Sequence, residues 1–393
     1  MNKMTIKDIN IRGKKVIIRV DYNVPLDKDF KVTDDTRIVA SLPTIKYALD
    51  NGAAKIILMS HLGRPDGQVV DKYRLTPVVA KLEQLLSKKV LKLDECIGTA
   101  VKQEIDSSSE QIILLENLRF HKEEEKNDAA FAKELANLAD VYINDAFGTA
   151  HRAHASTAGI TKYLPSAAGF LLGKEIDYLG SATTNPKKPF VVILGGAKVS
   201  DKIALIENLL PKADAIIIGG GMAYTFLKAQ GIAIGNSKLE KDKVDMASDI
   251  LKKAKAKNVT IALPSDHVIT QSIESMATKT VKDIPDGWLA VDVGPESCNA
   301  FKKILSTAKT IVWNGPLGIF ETDAFAKGTR DVAQYIADLK GTISIIGGGD
   351  TAAAISKFKL EDKMTHISTG GGASLEFLEG KELPGIAALN DKK

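Results

Sequence analysis

Short runs of β-branched and aliphatic residues alternate with helical patterns along the whole chain of 393 residues. This alternation is typical of βαβ units, which form parallel sheets, and the chain is too long for one ordinary core. The predicted strands are Lys15–Val20, Lys55–Met59, Ile112–Leu115, Val141–Ile143, Phe190–Leu194, Ala215–Ile218, Thr260–Leu263, Thr310–Val312, Thr342–Ile346 and His366–Ile367. The predicted helices between them include Thr76–Ser87, Asp128–Leu138, Asp201–Leu210 and Thr329–Leu339. The sequence therefore predicts an α/β fold of two doubly wound, Rossmann-like parallel-sheet domains joined by a hinge helix.

The expected boundary between the domains lies near Pro165–Pro189. Ala167–Leu179 has a helical pattern, and we expect this helix to join the two domains. Gly180–Pro189 contains serine, threonine, asparagine and two prolines, which is typical of a linker. The tail after Pro384 has no partner in the second predicted sheet. We therefore assign residues 1–170 and 385–393 to the first domain, and residues 171–384 to the second.

Charge and composition exclude several classes of protein. The net charge is +4, from 53 basic and 49 acidic residues, which is too balanced to indicate nucleic-acid binding. The longest apolar runs are strand-sized, well below the roughly 18 residues of a membrane span, and the start lacks the apolar stretch of a secretory signal. Cys96 and Cys298 lie far apart with no pairing or metal spacing, so we interpret both as ordinary thiols. We therefore expect a globular protein of the reducing cytoplasm.

The arginines are concentrated in the first half of the chain. Seven of the eight fall within the first 152 residues, although lysine is plentiful throughout. They are Arg12, Arg19, Arg37, Arg64, Arg74, Arg119 and Arg152. The planar guanidinium suits bidentate binding of carboxylate or phosphate in a way that the lysine ammonium does not. The first half is therefore predicted to hold a small anion.

The segments that follow the predicted strands differ between the halves, and ligands of open parallel sheets bind at these carboxyl ends. Polar side chains follow the first-half strands, at Asp21–Asn23, His61–Arg64, Glu116–Arg119 and Asn144–Phe147. Glycines follow the second-half strands, at Gly195–Gly196, Gly219–Gly221, Gly347–Gly349 and Gly370–Gly372. Any one glycine pair is explained by a tight turn alone, but four clusters favour a polyphosphate bound by backbone N–H groups and helix N-termini.

Four charged residues of the second half allow two interpretations each. Lys198 and Lys202 are four residues apart, so on a helix they share one face that either contacts phosphates or is solvated. Asp350 is either a helix N-cap or a magnesium ligand, since nucleotide-bound magnesium takes only one or two carboxylates. Glu321 is either a ligand of ribose hydroxyls or a surface carboxylate.

In the first half, His151 and His154 have the spacing of a helical metal pair. A third ligand is not evident nearby, so substrate contact or packing is the favoured interpretation. The run His121–Lys126 is predicted to be a solvated helix start.

Well-known nucleotide-binding and catalytic motifs are missing from the sequence. It contains no G-x-x-x-x-G-K-[ST] loop, no HRD-type catalytic loop and no G-x-S-x-G elbow. An NAD-dependent dehydrogenase would carry G-x-G-x-x-G after its first strand, and an RNA-binding module would interleave aromatic and basic residues. Neither pattern is present, so both alternatives are disfavoured.

Taken together, the segments from Val16 to about Ala373 resemble the phosphoglycerate kinase family. The motifs that carry the resemblance are Arg19–Pro25, Ser60–Pro65, Leu115–Phe120, Asn144–Gly148 with His151–His154, Leu194–Lys202, Val293–Glu296, Trp313–Glu321, Gly347–Thr351 and Ser368–Ser374. Each motif is modest in specificity, but their order along the chain is very specific. Tyr22 replaces the usual phenylalanine, while Leu317 and Ile319 replace common Met and Val; no polar group of the family pattern is lost.

The resemblance implies reversible transfer of a phosphoryl group from 1,3-bisphosphoglycerate to ADP, in glycolysis and gluconeogenesis. The first domain would then bind the triose through Asp21, Asn23, Arg37, His61, Arg64, Arg119 and Arg152. Within this set, His61 and the last three arginines would bind the 3-phosphate. Asp21 and Asn23 would order the substrate backbone, and Arg37 would face the transferring group.

The resemblance likewise makes the second domain the nucleotide-binding one. Its binding residues would be Gly195, Lys198, Lys202, Gly219, Gly294, Asn314, Glu321, Gly347, Gly348, Gly349, Asp350 and Thr351. Asp350 would carry Mg²⁺ as part of MgADP or MgATP. Arg37, Lys202 and the backbone amides of Gly371 and Gly372 would be catalytic. The expected partners are these small-molecule substrates, without nucleic acid or membrane, and we expect a monomer.

Overall fold

The computed structural model of the chain describes residues 2–392. Contacts between residues divide it into two units. The first unit ends at Asp177 and resumes at Glu382, and the second unit is Tyr178–Lys381.

The first unit contains one parallel sheet. Its strands are β1 (Lys15–Arg19), β2 (Lys55–Met59), β3 (Val90–Lys92), β4 (Ile112–Leu114), β5 (Val141–Asn144) and β6 (Ser166–Ala168). The order across the sheet is β3-β4-β2-β1-β5-β6, and every pairing is parallel. Both faces are covered, because consecutive residues of β1 such as Ile17 and Ile18 are fully buried. The two three-residue strands, β3 and β6, were not predicted.

Helices cover both faces of this sheet. They are α1 (Thr36–Asp50), α2 (Thr76–Leu86), α3 (Thr99–Ser107), α4 (Lys122–Glu125) and α5 (Ala129–Ala136). In α2 the buried residues Val78, Leu82 and Leu86 recur every four positions, which gives one apolar stripe toward the sheet. The apolar periodicity from which α2 was predicted therefore marks the residues that pack against the sheet.

Helix α6 (Phe170–Thr184) contains the boundary between the units. The sequence analysis predicted a helix over Ala167–Leu179 and a linker from Gly180, and both bounds are wrong. Ala167 belongs to β6, and the helix includes Gly180–Thr184. The helix begins at Phe170 rather than at Ala167 because its first N–H groups are bound there. Asp145 Oδ1 accepts hydrogen bonds from the backbone N–H groups of Leu171 (2.9 Å) and Leu172 (3.2 Å). Tertiary contacts thus override the local composition.

The second unit contains a parallel and an antiparallel sheet. Its strands are β7 (Phe190–Leu194), β8 (Ala215–Ile218), β9 (Thr260–Ala262), β10 (His267–Thr270), β11 (Lys279–Val281), β12 (Leu289–Val293), β13 (Thr310–Asn314), β14 (Ile343–Gly347) and β15 (His366–Ile367). The parallel sheet has the order β15-β14-β13-β7-β8-β9, and the antiparallel sheet has the order β11-β10-β12. The antiparallel sheet was not predicted, because its strands are short and partly exposed.

The helices of the second unit are α7 (Ile203–Leu209), α8 (Ala223–Ala229), α9 (Val244–Ala256), α10 (Pro295–Leu305), α11 (Lys327–Asp338), α12 (Gly349–Lys357) and α13 (Gly371–Leu378). The core of this unit includes the fully buried Trp313 and Phe301, with Ile336 of α11 packed among them. Among residues 2–392, no helix combines the length and the apolar character that a bilayer crossing requires.

The end of the chain packs on the first unit. Helix α14 (Pro384–Ala387) brings the Gly385 carbonyl to Asn144, whose side-chain amide donates to it at 3.1 Å. Asn390 Oδ1 accepts from the backbone N–H of Ser166 in β6 at 2.7 Å. The last strand of the first sheet is therefore held by residues from the far end of the sequence.

The predicted fold class is confirmed. Each of the two units contains a six-stranded parallel sheet, and all ten predicted strands are present with ends within two residues of the prediction. Parallel strands buried on both faces form continuous apolar runs, which is why they were the most predictable elements of the chain.

Candidate active site

Each parallel sheet reverses its strand order beside its first strand. In the first unit β1 lies between β2 and β5, and in the second unit β7 lies between β8 and β13. At such a reversal the loops diverge to opposite faces and leave a crevice at the carboxyl ends of the strands. Polar groups at these two edges are therefore the candidate site residues.

Asp21 and Asn23 follow β1 and are held by neighbouring loops. Arg37, near the start of α1, forms an ion pair with Asp21 at 2.8 Å. The Asn23 side-chain oxygen accepts the backbone N–H of Gly63 at 2.9 Å, which ties the loop after β1 to the loop after β2. The structure therefore brings these three predicted residues together at one edge.

His61 lies directly beneath this edge and is almost fully buried. Its Nδ1 lies 3.1 Å from a guanidinium nitrogen of Arg19. A guanidinium can only donate, so Nδ1 is the acceptor and the proton of the neutral ring is on Nε2. Burial first, and then the charges of Arg19, Arg119 and Arg37, lower the pKa of His61 well below its ordinary value. His61 is therefore a neutral hydrogen-bond donor through Nε2.

Arg119 is the most buried of the predicted anion-binding arginines. It donates to the Gly63 carbonyl at 2.9 Å and lies 3.3 Å from a carboxylate oxygen of Glu125. Burial lowers the pKa of Arg119, Glu125 opposes this effect, and the charges of Arg19 and Arg152 add to it. Several like charges therefore act on one another here, as expected where an anion is to be bound.

Arg64 and Arg152 are exposed at the surface of the first unit. Arg64 directly follows Gly63 and has no hydrogen bond or ion pair among residues 2–392. Arg152 lies in a turn, with its Nε 3.3 Å from a ring nitrogen of His151. Because this segment is a turn, the helical spacing considered for His151 and His154 does not apply.

Four buried groups lie beneath this edge, and of these the sequence analysis had considered only His154, for substrate contact or packing. Arg19 donates through Nε to the Ser156 hydroxyl at 2.9 Å, and that hydroxyl donates to Glu124 at 2.5 Å. His154 lies 3.9 Å from the same carboxylate. Burial and the surrounding arginines lower the pKa of His154 to about 3. The prediction of a solvated helix at His121–Lys126 is wrong for Glu124, which is fully buried because Arg19 and Ser156 stabilise its carboxylate.

In the second unit, glycine loops and helix starts enclose a cavity of about 390 Å³. It is lined by Gly195, Gly196, Ala197, Lys198, Asp201, Lys202, Asn314, Gly315, Gly348, Gly349, Asp350, Thr351, Gly371, Gly372 and Leu375. Helices α12 and α13 both begin at this cavity. Their unpaired N–H groups and dipoles favour an anion there.

Lys202 and Asn314 form a polar pair in this cavity. Lys202 Nζ donates to the side-chain oxygen of Asn314. Burial lowers the pKa of the Lys202 ammonium, while Asp201, Glu379 and Asp350 partly oppose that effect. The amide nitrogen of Asn314 is buried without a hydrogen-bond acceptor among the described residues. The unsatisfied amide donor and the half-buried ammonium together favour a hydrogen-bond acceptor, such as an anion, at this point of the cavity.

Close backbone approach explains the glycines of this cavity. A Cβ at Gly195 would lie 2.0 Å from the carbonyl oxygen of Pro316. Gly315 has a φ of +100° and a Cβ there would lie 2.2 Å from the Gly195 carbonyl oxygen. Residues 195 and 315 follow the neighbouring strands β7 and β13, so the two loops touch at the strand reversal.

The sequence predicted that Lys198 and Lys202 share one face of a regular helix, and this prediction is wrong. Ser200–Lys202 is a 3₁₀ turn and α7 begins at Ile203. The cause is Glu240, whose carboxylate accepts the backbone N–H and the hydroxyl of Ser200 at 3.1 and 2.6 Å. Both lysines nevertheless line the cavity.

A second cavity of about 330 Å³ shares Gly196, Ala197 and Asp350 with the first. Its lining is largely apolar, from the loop Pro316–Phe320 and from Leu289–Val291 of β12, and it includes Glu321. Lys357 donates to the carbonyl oxygens of Phe320 and Glu321 at 3.0 and 2.9 Å, which holds this loop. The antiparallel sheet that was not predicted therefore supplies one wall.

Three predicted nucleotide-binding glycines lie outside the linings of both cavities, among the described residues. Gly219 packs under Leu317, and Gly347 lies beside Asn314. Gly294 is buried against Asp266, where a Cβ would lie 2.2 Å from the carboxylate. Gly219 and Gly347 are each followed by a glycine that does line a cavity, whereas Gly294 has a packing role.

The fold and the two sheet edges define a class. The chain is a doubly wound α/β protein whose second unit has a glycine-lined cavity of the kind that binds phosphates.

Comparison with known proteins identifies the family. The family model described as phosphoglycerate kinase matches residues 6–381. A phosphoglycerate kinase of Thermosipho africanus is 57% identical over 400 residues, covering 100% of this chain and 99% of that protein. A chloroplastic phosphoglycerate kinase of Volvox carteri is 57% identical over 391 residues, covering 98% and 84%. The solved phosphoglycerate kinase from Coxiella burnetii has a TM-score of 0.90 at 44% identity, covering 98% of each chain. The chain belongs to the phosphoglycerate kinase family, whose members are phosphotransferases.

Proposed function

We propose that the chain catalyses reversible phosphoryl transfer from 1,3-bisphosphoglycerate to ADP, giving 3-phosphoglycerate and ATP, as a glycolytic enzyme. Family membership over residues 6–381 supports this activity. The observation that carries it is the difference between the two edges: clustered arginines with His61 in the first unit, and a glycine-lined cavity with Lys202 in the second. These features suit a triose phosphate and a nucleotide polyphosphate respectively.

In the first unit, we propose that Arg64, Arg119 and Arg152 bind the 3-phosphate together with His61. The mutual effects of Arg119, Arg19 and Arg152 support this assignment, because an anion would relieve their repulsion. Neutral His61 would donate through Nε2. Asp21 and Asn23 would orient the triose, and Arg37 would leave Asp21 in part to contact the transferring phosphoryl group.

In the second unit, we propose that Gly195, Lys198, Lys202, Asn314, Gly347–Gly349 and Thr351 bind the phosphates, with Glu321 at the ribose. Gly219 and Gly294 would support the loops of this site. The Gly371 and Gly372 amides open α13 beside Lys202, which supports their role at the moving phosphoryl group. The arrangement requires no general base, because the acyl phosphate is activated and ADP is an anionic nucleophile; alignment and charge stabilisation suffice.

We further propose that Asp350 binds Mg²⁺ together with the nucleotide phosphates. Its exposed carboxylate lines both cavities at the start of α12 and acts on the charge of Lys202, so the donor set fits this ion. Magnesium bound to nucleotides usually takes one or two carboxylates and several waters. When bound, the ion would neutralise charge that develops on the phosphates.

Chemistry requires the triose and the nucleotide to meet, so we propose that the units close by bending about α6 when both substrates are bound. A ligand shifts such an equilibrium only through contacts that differ between the states. Small-angle scattering of apo, singly liganded and doubly liganded protein tests this proposal. Full compaction with 3-phosphoglycerate alone would contradict the requirement for both ligands.

A coupled assay with purified protein, MgATP and 3-phosphoglycerate tests the activity itself. We expect turnover that depends on both substrates, and a rate equal to the buffer blank would refute the proposal. We also propose a cytoplasmic monomer; the two buried, unpaired cysteines support a reducing compartment. Light scattering at assay concentration tests the monomer.

A further inference from the structure

Three side chains with metal-binding atoms meet on the first unit, away from the strand reversal. Glu95 and Cys96 lie in the loop after β3, and His121 directly precedes α4. A carboxylate oxygen of Glu95, Sγ of Cys96 and a ring nitrogen of His121 lie within 4.8 Å of one another. The sequence analysis treated Cys96 as an ordinary thiol, because His121 lies in a different part of the sequence and gives no metal-binding spacing with it.

The three groups are oriented by the surrounding structure. Glu95 Oε1 lies 2.7 Å from His121 Nε2 and also accepts the backbone N–H of Cys96 at 2.7 Å. The His121 ring packs against Phe131, with ring centroids 5.2 Å apart. Cys96 is fully buried, while Glu95 and His121 reach the surface. The cluster is thus fixed on one side and open to solvent on the other.

The electrostatic surroundings favour a cation. Burial, then the carboxylates of Glu95, Glu124 and Glu116, raise the pKa of the Cys96 thiol well above its ordinary value. Glu123 adds to the negative potential at His121. The same carboxylates that disfavour a thiolate alone would stabilise a divalent cation bound to it.

We propose that Glu95, Cys96 and His121 form a binding site for a divalent cation of the zinc type. Thiolate and imidazole ligands select Zn²⁺ over Mg²⁺, which prefers oxygen ligands. Three protein ligands and an open side leave the fourth position for water. This site would be distinct in place and in chemistry from the carboxylate of Asp350.

Ion binding requires only a small rearrangement. Zinc bonds of about 2.0 Å to nitrogen or oxygen and about 2.3 Å to sulfur place the three tetrahedral ligand atoms roughly 3.3–3.5 Å apart. Glu95 Oε1 and His121 Nε2, which are 2.7 Å apart, would therefore separate by about 0.6 Å as the ion replaces their hydrogen bond, and Cys96 Sγ would approach them by about 1 Å. Binding would link the loop after β3 to the segment before α4, and should raise the thermal midpoint of the protein.

The test uses the purified full-length chain under reducing conditions, with Co²⁺ as a spectroscopic probe. A thiolate bound to Co²⁺ gives a near-ultraviolet charge-transfer band that oxygen and nitrogen ligands alone do not give. We expect this band with one Co²⁺ per chain and its loss when Zn²⁺ is added. An excess of Mg²⁺ should leave the band unchanged.

Matched variants identify the ligands. Cys96→Ser should abolish the band, whereas Cys298→Ser, which alters the other cysteine, should retain it. His121→Gln should weaken Zn²⁺ binding in a chelator competition by at least about 10–100-fold, the loss typical of even an indirect supporting group. Asp350→Asn should bind Zn²⁺ as the wild type does.

The proposal is overturned if wild-type protein gives no thiolate band, or if His121→Gln binds Zn²⁺ as tightly as the wild type. Because His121 is partly exposed, this variant keeps the test decisive even if Cys96→Ser fails to fold. Displacement of Co²⁺ by Mg²⁺ at equal concentration would also overturn it, since that outcome indicates oxygen ligands only.

Discussion

The candidate site residues at the two sheet edges are different chemical groups. In the first unit the edge is built from side chains that hold one another, such as Arg37 on Asp21 and Arg19 on His61. In the second unit it is built from backbone, with loops so close that Gly195 has no room for a Cβ. A side-chain site can lose one contact at a time, whereas a backbone site is damaged mainly by adding atoms. Substitutions at the two edges should therefore impair different steps.

The largest expected effect concerns Lys202, the half-buried cation of the cavity in the second unit. Lys202→Ala should lower kcat by about 10²–10³-fold, the cost of losing one preorganised charge at a transition state. Nucleotide affinity should fall much less, because glycine-loop amides remain. Steady-state kinetics and nucleotide titration measure both quantities. The control is Lys253→Ala, an exposed lysine paired with Glu207, which should leave both unchanged. Equal small losses in kcat and affinity would reduce Lys202 to a binding contact.

The next effect separates the two units. Arg119→Ala should remove a charge-assisted hydrogen bond to the substrate, which is worth about 1.5–3 kcal/mol of binding free energy. The KM for 3-phosphoglycerate should rise by the corresponding factor, while the KM for ATP should stay nearly unchanged. Arg152→Ala should act in the same direction. Arg12→Ala, a change of an exposed arginine in the same unit, is the matched control and should alter neither constant. A comparable rise in the KM for ATP would mean that the division between the edges is wrong.

A third prediction adds one methyl group to the backbone site. Gly195→Ala should destabilise the second unit by about 1–3 kcal/mol, because the new Cβ would meet backbone that cannot move aside. Nucleotide binding should weaken, while 3-phosphoglycerate binding should persist. Gly173→Ala in α6 is the control, since its Cβ would meet nothing within 4 Å. Denaturant unfolding and separate ligand titrations measure these outcomes; an unaffected Gly195→Ala protein would show that the close approach is unnecessary.

The smallest effect is a pH dependence in which the two units should behave alike. Burial raises the pKa of Asp145 in the first unit and of Asp292 in the second to about 7. A carboxyl group with a raised folded-state pKa binds more protons when folded, so its contribution to stability falls as pH rises from about 4 to about 7.

Asp145→Asn retains an acceptor for the N–H groups of Leu171 and Leu172 but cannot ionise. From pH 6 to pH 7 its free energy of unfolding should improve relative to wild type by on the order of 1 kcal/mol. Asp292→Asn should do the same for the second unit. Urea unfolding at several pH values provides the measurement, and parallel wild-type and variant profiles would contradict the assignment.

Sequence patterns predicted the fold better than they predicted the internal support of the site. Buried parallel strands such as Phe190–Leu194 appear as continuous apolar runs, so their positions followed directly from composition. Family motifs then indicated which strand-end residues to examine. Glu124 gave no such signal, because a charged residue among other glutamates and lysines has the pattern of a solvated helix. Its burial depends on Arg19 and Ser156, which are distant in sequence. Likewise, Glu240 sets the turn at Ser200 from forty residues away.

The return of the chain to the first unit has a consequence for biosynthesis. Strand β6 is held by Asn390, and Asn144 donates to Gly385, so the first unit contains residues that are synthesised after the whole of the second unit. Tyr178–Lys381, by contrast, is a continuous segment. Domains generally fold as units during synthesis, with the N-terminal one first. Here we expect the reverse order of completion: the unit that is begun first should reach full protease resistance only after residues 382–392 have also left the ribosome. Pulse proteolysis of stalled nascent chains that end at residue 381 or at residue 393 would reveal that order.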